Sequence, residues 1–173
     1  MIEEIKKHIR DVPDFPKKGI LFKDITTALK YGACFHQIID AFYEAVKDKK
    51  IDKIAGIESR GYLIGSALAY KLGCGLVLLR KPGKLPSEVI HEDYDLEYGT
   101  AALEIHTDSI EPGEHVLIVD DLLATGGTAE AACKLVQRLG GEIVATIFLI
   151  ELNALQGRKV LEKYGKTISL INY

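Results

Sequence analysis

The stretch that most constrains this chain is Val116-Leu117-Ile118-Val119-Asp120-Asp121-Leu122-Leu123-Ala124-Thr125-Gly126-Gly127-Thr128. Four apolar residues without alternation read as a strand buried on both faces, which is the signature of a parallel sheet covered by helices. Two adjacent acids are expected to end the strand. A short loop of Thr and Gly follows, and a helix over 128–139 carries Ala131, Ala132, Leu135, Val136 and Leu139 inward. Strand, acids, glycine loop and helix start are expected to form a site for a sugar phosphate.

The same alternation continues elsewhere. Strands are expected at 53–57, 76–79, 101–105, 143–150 and 167–171, and helices at 2–10, 34–49, 63–72 and 153–162, with Gly73 ending the third helix. This βαβ pattern predicts an α/β fold: an open, mostly parallel sheet with helices on both faces. Residues 11–27, punctuated by Pro13, Pro16 and Gly19, are expected to be irregular. Residues 80–99 are polar and without clear period, and are expected to be a long functional loop. At 173 residues the chain suits a single domain.

Bulk properties narrow the function classes. The formal net charge of −3 argues against a nucleic-acid partner. No apolar run approaches the roughly 18 residues of a membrane span, and residues 1–10 lack a signal peptide's apolar core. A cytoplasmic address is therefore expected. Cys34, Cys74 and Cys133 are far apart and odd in number, so free thiols are expected rather than disulfides. The five His residues show no metal-ligand spacing.

Each part of the opening motif has a physical role. Gly126 and Gly127 let the backbone approach a ligand, and an uncapped helix start offers N–H groups to a phosphate. Thr125 and Thr128 add hydroxyl donors. Asp120 and Asp121 would repel that phosphate at contact, so they suit neutral hydroxyls a few ångströms away. A ribose 5-phosphate meets both demands. There is no Lys after the glycines, as a Walker loop requires, and no GxGxxG. Ligands of such sheets bind at the carboxyl ends of strands, which brings two more segments to the same rim. Glu58-Ser59-Arg60-Gly61 offers a helix start and a guanidinium, at a turn where backbone strain is worth checking. Arg80-Lys81-Pro82-Gly83-Lys84 concentrates three cations, a match for a diphosphate.

Residues 119–128 resemble the phosphoribosyl pyrophosphate signature of the type I phosphoribosyltransferases. The resemblance extends to their adenine-using members through Phe15-Pro16-x-x-Gly19-Ile20-x-Phe22-x-Asp24-Ile25-Thr26, Ala55-Gly56-Ile57-Glu58-Ser59-Arg60-Gly61, Arg80-Lys81-Pro82-Gly83-Lys84-Leu85-Pro86 and Leu96-Glu97-Tyr98-Gly99. It implies the type I phosphoribosyltransferase fold over residues 1–173, with a small N-terminal hood from about residues 1–33 over the active site and the lid at about 80–99. It implies transfer of a phosphoribosyl group to adenine, with Mg²⁺ held mainly by substrate and water, and a homodimer.

The resemblance also implies residue roles. Ala124, Thr125, Gly126, Gly127 and Thr128 would hold the 5-phosphate, and Asp120 and Asp121 the ribose hydroxyls. Arg60, Arg80 and Lys84, with the backbone of Ser59, would hold the diphosphate. Glu97 would be the general base, next to Tyr98 at the substrate. Phe22 would stack on adenine with Leu152 opposite, and the backbone of Leu21 and Lys23 would read its edge. Two alternatives stay open: a transferase for a 6-oxopurine, with Lys23 as the only obvious cation for the oxo group, and a non-catalytic sensor of phosphoribosyl pyrophosphate. The sensor would need a nucleic-acid-binding element, and neither an appended domain nor a basic face is visible.

Overall fold

A computed structural model describes residues 1–95 and 100–173. The central sheet has five parallel strands in the order β4-β3-β7-β8-β9. These are β3 (Lys53–Ile57), β4 (Gly75–Leu79), β7 (His115–Leu123), β8 (Glu142–Glu151) and β9 (Thr167–Asn172). Two antiparallel hairpins lie outside it: β1 (Arg10–Pro13) with β2 (Leu21–Asp24), and β5 (Val89–Asp95) with β6 (Thr100–His106). Helices α1 (Ile2–Lys7), α2 (Thr26–Leu29), α3 (Gly32–Val46), α4 (Glu58–Leu72), α5 (Gly127–Arg138) and α6 (Gly157–Leu161) complete the chain.

The pleat divides the core into two layers, because successive strand residues face opposite sides. In β7, Leu117 and Val119 pack with Ile38 and Phe42 of α3 and Ile64 and Leu68 of α4. Val116 and Ile118 pack on the other side, with Leu135 and Val136 of α5 and Leu103 and Ile105 of β6. All of these side chains are fully buried. Each contributes about 1.5–3 kcal/mol by leaving water. The predicted central architecture and the free cysteines stand, and α4 ends at Gly73 as expected. Leu139, just past the end of α5, is half-buried and packs against the same layer.

Several expectations need correction. The segment 80–99 is not one loop: Val89–Asp95 pairs with Thr100–His106 in unbroken register from Val89↔His106 to Asp95↔Thr100. Its inward positions are Ile90, Glu92 and Tyr94, and an acid is accommodated at Glu92 because Lys134 and Arg138 of α5 meet it. Residues 11–27 are likewise not irregular throughout. They contain the β1–β2 hairpin and α2, with Asp24 accepting from the N–H and hydroxyl of Thr26 at 2.8 and 2.6 Å. Helix α4 begins at Glu58, five residues before the expected start. The acids do not end β7. Asp120 pairs with Phe148 and Leu123 with Glu151, because β8 runs the full length while β3 stops at Ile57.

The N-terminal hairpin lies beside residues at the carboxyl end of the sheet, Tyr173 and Arg60. Arg10 ties β1 to Asp24 at 2.5 Å, and Lys23 of β2 lies between Asp11 and the ring of Tyr173, 3.9 Å from its centroid. The hairpin is thereby fixed to the end of β9. Among the described residues no helix is long and apolar enough to cross a membrane.

Candidate active site

Beyond Val119, β7 keeps β8 on one side and loses β3 on the other. The space left is a cavity of about 330 Å³ at the carboxyl rim. Its floor is Asp120 to Leu123, one wall is the loop and helix start from Ala124 to Ala129, and the other is Ile57 to Arg60 with Lys81 and Tyr94. Two strand ends and two helix starts therefore converge on one volume.

The head of α4 can sit this close because residue 61 is glycine. A Cβ there would come within 2.9 Å of the Val119 carbonyl oxygen and 3.1 Å of Asp120 Oδ1. Just before it, Glu58 has a φ of 42°, a conformation that costs a non-glycine residue about 1–3 kcal/mol. Its carboxylate accepts the N–H of Lys81, which links this turn to the segment after β4. The Glu58–Ser59 peptide itself is trans; the cis peptide among the described residues is Phe15–Pro16.

On the opposite wall Gly126 has a φ of 90° and precedes α5, whose first turn carries no side-chain cap. The first N–H groups of a helix lack intrahelical acceptors. Gly127, Thr128 and Ala129 line the cavity, so these donors and the positive end of the helix dipole meet an anion there.

The floor is acidic and has one direct cationic partner. Arg60 Nε donates to Asp121 Oδ2 at 2.5 Å, and Asp121 is 4% exposed. Asp120 Oδ1 accepts the Asp121 N–H at 2.8 Å. Burial, and then the charge of Asp121, push the Asp120 carboxyl well above the usual carboxylate range. A neutral hydroxyl donor relieves such a group, whereas a phosphate would aggravate it.

A second cavity, of about 380 Å³, opens beside the first and is lined by Val12, Phe15, Phe22, Asp24, Thr26 and Arg60. Phe15 and Phe22 meet edge to face at 5.2 Å, and the Arg60 guanidinium lies 5.5 Å from the Phe22 ring centroid. Arg60 thus borders both cavities. A flat aromatic ligand fits the second, and a sugar phosphate the first.

The expected site residues fall into three groups. Asp120, Asp121, Ala124, Thr125, Gly126, Gly127, Thr128, Ser59 and Arg60 line the first cavity, and Phe22 the second. Leu21 and Lys23 flank Phe22 on β2, with the Lys23 ammonium turned to Asp11. Leu152, expected opposite Phe22, lies past β8 with its N–H on the Leu123 carbonyl and its side chain against the α3 layer. Arg80 and Lys84 do not line either cavity. Arg80 is held by backbone bonds to Glu104 in both directions, and its Nη1 donates to the Lys84 carbonyl. Of the three cations in that cluster, Lys81 reaches the wall. Glu97 and Tyr98 lie outside the described residues.

Sequence reasoning missed Tyr94, Glu58 and the part played by Lys81. The alternation Ile90-x-Glu92-x-Tyr94 carried the signal for the first. Only the strained turn reveals the second.

A metal ion in this cavity would meet the carboxyl groups of Asp120 and Asp121, the second of which is engaged by Arg60. That donor set fits Mg²⁺, which is commonly held through one or two carboxylates together with substrate phosphates and water.

Comparison with known proteins agrees with this geometry. The phosphoribosyl transferase domain family matches residues 26–172. The adenine phosphoribosyltransferase of Geobacter metallireducens is 56% identical over 172 residues, 99% of this chain and 100% of that protein. The crystal structure of adenine phosphoribosyltransferase from Thermoanaerobacter pseudethanolicus superposes with a TM-score of 0.97 at 54% identity, covering 100% of both chains. The Saccharomyces cerevisiae enzyme, solved with an imino-altritol bisphosphate and adenine, superposes with a TM-score of 0.92 at 42% identity, covering 98% of this chain and 97% of that one. The chain belongs to the phosphoribosyltransferase family.

Proposed function

We propose that this protein transfers the 5-phosphoribosyl group of phosphoribosyl pyrophosphate to adenine, forming AMP and pyrophosphate, a purine-salvage reaction. The observation that carries the reading is the pair of cavities that share Arg60 in their walls. One has an anion cradle beside two acids, the other an aromatic wall, and Arg60 stands between them. A substrate with a phosphate and vicinal hydroxyls fits the first, and a purine fits the second. Relatives over 50% identical along nearly the whole chain are adenine phosphoribosyltransferases, and the yeast relative was solved with adenine and a bisphosphate.

In this reading Ala124 to Thr128 hold the 5-phosphate through backbone N–H groups and the two threonine hydroxyls. Asp120 and Asp121 accept from the ribose 2- and 3-hydroxyls. Arg60 and Lys81 face the diphosphate, with Ser59 backbone; Arg80 and Lys84 join them by family resemblance. As pyrophosphate leaves C1, negative charge grows on it and the ribose gains oxocarbenium character. Arg60, held by Asp121, would stabilise that charge with little reorganisation. Bound Mg²⁺ would supply further neutralisation of the leaving diphosphate, near Asp120 and Asp121. Phe22 stacks on adenine, and the outer edge of β2 offers the backbone of Leu21 and Lys23 to its polar rim. Adenine loses a ring proton as it bonds to C1, and Glu97 accepts it.

The hood over residues 1–33 and closure by the β5–β6 hairpin belong to the same reading. So does a homodimer, supported by the exposed apolar residues Leu63, Tyr70, Leu76 and Leu78 on α4 and the outer strand β4. A cytoplasmic address accords with three free thiols, two of them buried. The test is to incubate the protein with phosphoribosyl pyrophosphate, Mg²⁺ and each purine base in turn. AMP from adenine alone is expected. Nucleotide from hypoxanthine or guanine instead would move the substrate, and none from any base would leave a binding protein.

A further inference from the structure

The phosphate cradle is shaped by an element outside it. Gly126, with its φ of 90°, rests against Gly157, the first residue of α6. A Cβ on Gly126 would come within 2.7 Å of the Gly157 carbonyl oxygen. A Cβ on Gly157 would overlap the Ala124 carbonyl oxygen and come within 2.9 Å of the Gly126 nitrogen. Two backbones are thus in direct contact, and the loop cannot relax toward α6 or be pushed from it without changing where its N–H groups point.

Helix α6 is itself pinned. Arg158 Nε donates to Glu151 Oε1 at 3.1 Å, its Nη2 donates to the other oxygen of that carboxylate, and its Nη1 donates to the Thr167 carbonyl at 2.6 Å. Glu151 is the last residue of β8 and is 4% exposed. The paired fork fixes both the distance and the plane of the guanidinium.

We propose that Gly157 and Arg158 are positioning residues for the 5-phosphate subsite. Arg158 anchors α6 to the ends of β8 and β9, and Gly157 carries that anchorage to Ala124–Gly126 through the backbone contact. Neither touches substrate. This rests on the reading of Ala124–Thr128 as the phosphate cradle. It adds a reason for glycine at 157, which a five-residue helix start does not otherwise need. Displacement of a cradle by a few tenths of an ångström is enough to weaken convergent hydrogen bonds.

The test compares the parent protein with Gly157→Ala, Arg158→Ala and Arg158→Lys. Two readouts are taken: calorimetric affinity for ribose 5-phosphate, and KM for each substrate. Gly157→Ala is expected to weaken ribose 5-phosphate at least tenfold and to raise KM for phosphoribosyl pyrophosphate similarly, with KM for adenine changed less than twofold. Arg158→Ala is expected to follow in the same direction, and Arg158→Lys to recover part of the loss. Ribose 5-phosphate affinity within twofold of the parent in folded Gly157→Ala and Arg158→Ala overturns the proposal, as does an equal rise in both KM values. Should Gly157→Ala not fold, the two Arg158 variants decide it. A parent that binds ribose 5-phosphate but makes no AMP overturns the transferase reading alone, because the binding comparison still decides this one.

Discussion

Arg60 donates to Asp121 at 2.5 Å while its guanidinium stands 5.5 Å from the ring of Phe22. One side chain therefore joins the acidic floor to the aromatic cavity. Removing it would leave Asp121 buried beside Asp120 with no cation in direct contact. Loss of a buried pair's partner costs about 3–5 kcal/mol, but Arg60 is 42% exposed, so the stability loss falls well below that range. Its effect on chemistry is larger. A fixed donor to developing charge contributes about a hundredfold to a thousandfold in rate. Arg60→Ala is expected to lower kcat/KM at least a hundredfold while the melting temperature falls by a few degrees. Steady-state kinetics with calorimetry checks both, and a melting loss without a rate loss would remove Arg60 from the site.

Asp120 yields a prediction of opposite sign for stability. Its folded pKa is raised by burial and by Asp121, so the fold disfavours the ionised form. A raised carboxylate destabilises as pH climbs from its unfolded value through its folded one. Asp120→Asn removes that penalty and still accepts the Asp121 N–H. At neutral pH the variant is expected to melt higher than the parent, by about 2–4 °C for each kcal/mol relieved in a chain of this size. Transfer activity should fall, since the amide sets an N–H donor in place of a carboxyl oxygen beside the ribose hydroxyl. Thermal melts at pH 4 and pH 7 test it: the advantage must be larger at pH 7.

The strands that hold these acids were the easiest part of the chain to read. Residues 116–119 and 147–150 are apolar because both faces are covered, and no other element fits such runs in an α/β alternation. The hairpin 89–106 was harder on its first strand, where a half-buried acid at Glu92 is answered by Lys134 and Arg138 some forty residues away. No local pattern holds that pairing. The same limit explains the basic cluster at residues 80–84. Arg80, Lys81 and Lys84 are equivalent as charges in sequence. Their directions follow from the backbone bridge of Arg80 to Glu104 and from the Gly83 N–H on the Glu104 carboxylate. The glycine motif was legible because its chemistry is local, whereas the contact of Gly126 with Gly157 joins residues thirty-one apart.

The N-terminal hairpin makes an acid-range prediction. The Asp24 carboxyl lies at about 2 instead of 3.8, chiefly because it accepts from the Thr26 hydroxyl, against the effect of burial and with help from Arg10. A lowered carboxylate contributes stability above its unfolded pKa and loses it as pH falls through the folded value. The parent should therefore be more stable than Asp24→Asn at pH 5, and the gap should close between about pH 4 and pH 2. Urea unfolding across that range measures it. A gap that persists unchanged at pH 2 would mean that Asp24 acts by shape instead of charge.

Lys81 and Lys84 separate the structural assignment from the family one. Lys81 lines the cavity and Lys84 does not, while the backbone carbonyl of Lys84 accepts from Arg80. If approach to the cavity decides, Lys81→Ala should raise KM for phosphoribosyl pyrophosphate about tenfold, the loss of one charged hydrogen bond of about 1.5 kcal/mol. Lys84→Ala should then change it less than threefold, because its removal spares the carbonyl that Arg80 uses. Binding of pyrophosphate alone provides a second reading and should follow the same order. The reverse order would mean that residues 80–84 turn over when the diphosphate binds, exchanging the Lys81 side chain for that of Lys84. That exchange would have to break the bond between the Lys81 N–H and Glu58, so Glu58→Gln would then favour the Lys84 arrangement.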